Sequence, residues 1–201
     1  MIKIREAVLD DVPAIVRVHV QADWDTYSAL FGSQAYALEP GESELRWRRA
    51  IGDGDILLVA SDGIEIVGLG HARGDRIGAL YLLRSHRRRG IGKALLTHLL
   101  ASLTELSVAE ARFDVVAIND NAIAFYRAHG AYPVGRSVNR AARGDTEDLV
   151  FAISTDPVAP LRRRPARGFA SLVSRLAHFR RSPLSERRLH SESRRHPKTF
   201  G

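Results

Sequence analysis

No cysteine occurs among the 201 residues. Disulfides and thiolate zinc sites are therefore excluded, and a reducing compartment is permitted. Long apolar runs are missing as well. The opening MIKIREAVLDD has no apolar segment of signal-peptide length, and no stretch approaches the roughly 20 residues that cross a bilayer as a helix. A cytoplasmic protein without a transmembrane segment is expected. A basic excess is also missing from most of the chain, although the whole carries a formal charge of +7. Residues 155–201 hold 12 Lys and Arg against Asp156, Glu186 and Glu192, whereas residues 1–154 hold 18 basic against 20 acidic side chains. The body is slightly acidic, so the broad positive surface of a nucleic-acid-binding domain is not expected there. There is no internal repeat.

With 45% hydrophobic residues the chain has material for one well-buried core. A short alternating stretch at the start runs into Asp10 and Asp11 and then a helical pattern through Val12, Ile15 and Val16, which reads as a strand followed by an acid-capped helix. ESELRWRRAI follows the Pro40-Gly41 break as a second helix. DILLVASDGIEIVGLGHARG gives two strands joined at Ser61-Asp62-Gly63, a hairpin signal, and RIGALYLL gives a third. Leu95, Leu99, Leu103 and Leu106 predict a helix over 91–106 with one buried face. RFDVVAI is a strand. NAIAFYRAHG is a helix with cap candidates from Asn119 to Asn121 and a stop at Gly130; YPVGRSV and DTEDLVFAIS are two closing strands. This order predicts an α/β or α+β domain, a single sheet covered by helices.

The stretch HRRRGIGKALL, residues 86–96, sets three arginines at a helix start. The helix dipole places about half a positive charge there, so an anion is expected to offset the repulsion. Gly90 and Gly92 carry no Cβ to keep a phosphate from the backbone N–H groups. A P-loop needs glycine where Arg87 stands and Ser or Thr where Ala94 stands. A dinucleotide fingerprint needs glycine at Leu95. Neither fits.

What remains is Arg87-x-x-Gly90-x-Gly92 between a strand and an apolar helix, and about thirty residues later NDNAIAFYRAHGA, with Asn119, Ala122, Phe125, Tyr126 and Gly130. These two segments resemble the signatures of the GCN5-related N-acetyltransferases, the GNAT superfamily, over roughly residues 1–154. The resemblance implies a mixed, mostly antiparallel sheet of about six to seven strands flanked by helices. It also implies acetyl-CoA as cosubstrate, an amine acceptor attacking directly in a ternary complex, and no metal. Leu82 and Leu83 would then offer backbone groups to the pantetheine arm. Arg87, Arg88, Arg89, Gly90, Ile91, Gly92 and Lys93 would hold the pyrophosphate. Asn119 is expected either to cap its helix or to contact the cofactor.

Tyr126 matches the position that protonates or hydrogen-bonds the CoA sulfur, or else it is helix-to-sheet packing. A phenol of pKa about 10 giving its proton to a thiolate of about 8.5 climbs roughly 2 kcal/mol. Where many relatives carry a glutamate base, this chain has Arg76 beside Asp75 in DRIGALY, so no base is named. A lysine-like amine needs about 4.6 kcal/mol to be neutral at pH 7 and an α-amine only about 1.4. A weakly basic acceptor, or deprotonation through a water chain, is therefore expected. Trp24, Tyr27, Phe31 and Tyr36 are candidates to wall the acceptor pocket, or are core. His71, His86, His98 and His129 show no metal spacing and are given no ligand role.

Residues 155–201 lie outside the resemblance. Their proline, arginine and serine content predicts a mostly disordered basic tail, with an amphipathic helix near 166–180 built on Phe169, Leu172, Val173 and Leu176. Nucleic acid or another anionic surface is the expected contact of such a tail. An acetyl-CoA sensor or a nucleic-acid-associated binding protein is the alternative to an enzyme. The family also allows a homodimer.

Overall fold

In a computed structural model, residues 1–32, 37–141 and 144–156 are described, and all fall within one compact unit. Residues 157–201, with the expected tail helix, and Tyr36 lie outside the described residues. The elements are β1 (Ile2–Glu6), α1 (Val12–Phe31), α2 (Pro40–Gly52), β2 (Ile56–Asp62), β3 (Glu65–Arg73), β4 (Arg76–Leu82), α3 (Ile91–Glu105), β5 (Glu110–Val116), α4 (Asp120–Ala128), β6 (Tyr132–Ala141) and β7 (Gly144–Ser154). Their order matches the one that periodicity and turn residues predict.

The seven strands form one sheet in the order β1-β2-β3-β4-β5-β7-β6. Every neighbouring pair is antiparallel except β4 with β5. Helices α1 and α2 cover one face. Trp47 of α2, fully buried, meets the ring of His71 of β3 edge-on at 5.6 Å. The opposite face takes α3, whose Leu95 and Leu99 lie over Gly68 and Gly70 of β3. It also takes α4, whose Tyr126 packs on Phe113 of β5 with ring centroids 4.2 Å apart. Fully burying side chains the size of Leu95, Leu99, Leu103 and Phe151 stabilises by about 1.5–3 kcal/mol each.

Two local expectations change. Leu106 is 64% exposed because α3 ends at Glu105, and a turn closed by Ser107 N–H on Thr104 O and Val108 N–H on Leu103 O swings it outward. Asp11 does not cap α1 with its side chain. A short 3-10 turn over Leu9–Asp11 feeds directly into the helix. The freed carboxylate instead takes both terminal nitrogens of Arg5, at 2.6 and 2.8 Å, and the Val8 N–H at 2.9 Å. The Arg5 hydrogen bonds hold Asp11 below the usual carboxylate range.

Candidate active site

Parallel β4 and β5 meet at a single register pair, Arg76 with Arg112, supported by the Arg112 N–H on Asp75 O at 2.8 Å. Beyond that apex the two strands diverge. One side of β4 stays paired to β3 as far as Leu82, and the Leu83 N–H reaches Val67 O. Backbone direction alternates along a strand, so the N–H and C=O groups of Leu80 and Leu82 face the gap. Leu82 O accepts from Arg87 Nε at 3.1 Å. Leu83 differs from Leu82: its N–H is bonded to β3 and its carbonyl accepts the His86 N–H. An open strand edge of this kind is a template for an extended ligand.

The gap leads to the start of α3. Gly90 is its N-cap, with φ +81°, and makes no side-chain capping bond. The first N–H groups of the helix, on Ile91, Gly92 and Lys93, precede the first intrahelical donor and so remain available to an anion. The charges around them are divided. Arg87 is part-buried and reaches Thr26 Oγ1 of α1 at 3.4 Å as well as Leu82 O. Arg89 turns to Asp62 at 3.2 Å, where the amino terminus also binds at 3.3 Å. Arg88 and Lys93 are exposed and make no ion pair among the described residues. Arg88 holds a left-handed backbone, φ +62°, which is strained for a residue with a side chain.

Tyr126 enters from α4. Its ring lies 4.2 Å from Phe113, one residue past the apex on β5, and 5.1 Å from Phe125. Phe125 in turn lies in contact range of Gly92. Burial pushes the Tyr126 hydroxyl well above the ordinary phenol range, and the Tyr27 hydroxyl of α1 adds to the lift. Tyr27 belongs to α1 and Tyr126 to α4, helices on opposite faces of the sheet. Tyr27 also stacks on Phe31 at 6.0 Å, whereas Trp24 is 44% exposed. Asn119 acts as the cap of α4, its Oδ1 accepting the Ala122 N–H at 3.1 Å. Arg76 pairs with Asp114 of β5 at the closed end of the gap.

On the α1 and α2 face of the apex stands a group to which the sequence assigns no role. His71 Nε2 lies 2.8 Å from Asp55 Oδ2, and its Nδ1 points at Gly78, the extra residue of a bulge in β4. Neither His71 nor Asp55 belongs to a recognisable spacing. The only sequence signal is a histidine inside an otherwise apolar strand. A groove of about 900 Å³ runs outside the gap, between Val16, Val20 and Asp25 of α1 and Leu83–Ser85. Among the described residues no group of three His, Cys, Asp or Glu side chains is placed to hold a metal, and no helix is long and apolar enough to cross a membrane.

Among solved structures, the chain is similar to the ribosomal-protein-alanine N-acetyltransferase of Brucella melitensis, at 20% identity and a TM-score of 0.61 over 76% of this chain and 99% of that one. It is similar to a phosphinothricin acetyltransferase of Sinorhizobium meliloti in complex with acetyl-CoA, at 23% identity and a TM-score of 0.60 over 76% and 88%. It is also similar to the PaiA N-acetyltransferase of Thermoplasma acidophilum in complex with coenzyme A, at 18% identity and a TM-score of 0.55 over 77% and 99%. These likenesses establish a shared fold. No curated protein matches the chain in sequence. Residues 20–131, from α1 to just past α4, match the model of the Acetyltransferase (GNAT) family, and since they make up more than half of the chain, the chain belongs to that family.

Proposed function

We propose that the protein is an acetyl-CoA-dependent N-acetyltransferase that moves an acetyl group to a primary amine of a small molecule, peptide or protein. The observation that carries this reading is the gap between β4 and β5, open along Leu80 and Leu82 and ending at the uncapped start of α3. Leu80 and Leu82 bond the amide groups of the pantetheine arm as a neighbouring strand would. The N–H groups of Ile91, Gly92 and Lys93 bind the pyrophosphate, with Arg88 and Lys93 supplying charge and Arg87 bracing the strand end against α1. The relatives from Sinorhizobium and Thermoplasma, solved with acetyl-CoA and coenzyme A, favour the same ligand here.

Tyr126 faces the departing sulfur. Its raised pKa makes full proton transfer to a thiolate a steeper climb than an ordinary phenol faces. The hydroxyl therefore acts by donating a hydrogen bond to the sulfur as negative charge develops, a charge-assisted bond of about 1.5–3 kcal/mol. The acceptor enters from the α1 side, past Tyr27. Steady release of CoA from acetyl-CoA, measured against a panel of polyamines, amino acids and peptides, tests the reading. Turnover with at least one amine, falling about 10- to 100-fold in Tyr126→Phe, is expected. Tight acetyl-CoA binding with no turnover would favour a sensor, and absence of acetyl-CoA binding would sink both.

A further inference from the structure

The geometry points to His71, oriented by Asp55, as the group that takes the proton from the acceptor amine at the apex of the gap. This inference rests on the transferase reading above and names the base that reading lacks. His71 is 9% exposed, and its Nδ1 is a buried nitrogen with no hydrogen-bond partner among the described residues. A buried polar atom left unpaired costs about 1–3 kcal/mol, so it calls for a ligand or a reaction. An aspartate carboxylate at neutral pH only accepts, so the proton shared across the 2.8 Å contact sits on Nε2. Nδ1 then carries the lone pair. That atom lies 2.7 Å from where a Cβ on residue 78 would stand, a distance only glycine permits. Gly78 is two residues beyond the β4–β5 contact at Arg76, and Phe113, beneath Tyr126, is one residue beyond it on β5. Sulfur-facing Tyr126 and amine-facing His71 thus flank one spot from opposite faces of the sheet.

The charges around His71 favour a neutral base. Burial lowers its pKa most. The hydrogen bond and charge of Asp55 oppose that shift, while Arg46 of α2 and Arg73 of β3 reinforce it. Arg73 also reaches Asp55 Oδ1 at 3.5 Å, and Trp47 closes the ring's edge. Arg46 covers the approach, donating to Gly78 O at 3.2 Å and lying 4.6 Å above the Trp47 ring. It is an exposed side chain, able to withdraw for an acceptor. In the step itself the amine nitrogen bonds to the thioester carbonyl carbon, and its surplus proton passes to His71 Nδ1. The C–S bond then breaks with its electron pair on sulfur. The thiolate takes a proton from solvent, and His71 returns its proton to solvent.

The test uses the full chain, the amine found in the turnover panel, and acetyl-CoA affinity measured in parallel. His71→Ala should lower kcat by about 100-fold, within the usual span for a general base, with acetyl-CoA affinity unchanged. Added imidazole should restore part of the rate. Arg46→Ala, which removes a repelling charge, should move the acidic limb of the kcat/KM profile to higher pH. Asp55→Asn should lower kcat without changing acetyl-CoA affinity. A His71→Ala enzyme with its rate and acidic limb intact overturns the inference. So does a loss that imidazole does not rescue in a variant that still binds acetyl-CoA, whereas a native chain that binds acetyl-CoA yet acetylates no amine fails as a transferase, the reading on which the inference rests. A native chain that does not bind acetyl-CoA fails earlier, at the function itself.

Discussion

The two faces of the β4–β5 gap are built by different means. On the α3 and α4 face the site comes from short contiguous stretches: residues 87–93 make the turn into a helix, and 119–130 make another helix with its own cap. On the α1 and α2 face the site is assembled across the chain. His71, Asp55, Arg46 and Gly78 come from β3, the β2 approach, α2 and β4, and they meet only because the sheet and helices pack. Chemistry carried by backbone turns is local. Chemistry carried by buried side chains depends on tertiary structure.

Trp47 should break the second face most severely. It is fully buried, donates from Nε1 to His19 Nδ1 at 3.1 Å and edges His71. Trp47→Ala removes a large core side chain at a cost of about 3–5 kcal/mol. A fall in Tm of about 6–20 °C is expected by calorimetry, since each kcal/mol moves a domain of this size by about 2–4 °C. A loss no larger than that of an exposed residue would mean that α2 does not hold this face together.

Gly78→Ala is finer. Its new methyl would stand 2.7 Å from His71 Nδ1, so the ring or the bulge must shift, at about 1–3 kcal/mol. Urea unfolding should show that loss. Turnover should drop severalfold while acetyl-CoA affinity, which the proposed function rests on Leu80, Leu82 and the start of α3, stays unchanged. Equal losses of both would erase the distinction between the faces.

Arg88→Gly probes the first face. Its left-handed φ of +62° costs a non-glycine residue about 1–2 kcal/mol, which glycine does not bear. Part of that gain is offset by the greater freedom of glycine in the unfolded chain. The variant should be slightly more stable and bind acetyl-CoA a few-fold more weakly, by calorimetric titration. Stability gained together with unchanged affinity would remove Arg88 from the anion site.

How much was legible follows the same division. The element order, the turn from Arg87 into the helix at Gly90, the helix that carries Tyr126 and one of the two readings of Asn119, as its cap, are readable, because each depends on neighbours within a few positions. Leu83 was not separable from Leu82, since strand register decides which backbone groups face the gap. Nor could the sequence show that Arg89 turns to Asp62, twenty-seven residues earlier. The sequence leaves Tyr27 open between core and acceptor pocket, because only tertiary packing brings it near enough to raise the Tyr126 pKa. His71 had no periodicity to mark it, and its partner Asp55 stands sixteen positions away.

The smallest effect should come from Asp148, on the half of the sheet that carries no active-site motif. It is 4% exposed and accepts from Thr146 Oγ1 at 3.1 Å. Burial raises its pKa, and the nearby charge of Asp114 on β5 adds to the rise, while the Thr146 and Asn139 hydrogen bonds oppose it. A carboxyl whose folded pKa lies above its unfolded value favours folding only while protonated. Its penalty is therefore complete above the folded pKa and is relieved as pH falls toward the ordinary carboxylate range. Asp148→Asn removes the charge and keeps the shape. The urea midpoint should rise slightly at pH 7, and the difference from the native chain should shrink as pH approaches 4. A variant less stable at pH 7 would mean that its hydrogen bonds to β6 and β7 outweigh the buried charge. The cluster of Arg76, Asp114 and Asp148 would then act as a structural clamp on the closed end of the gap.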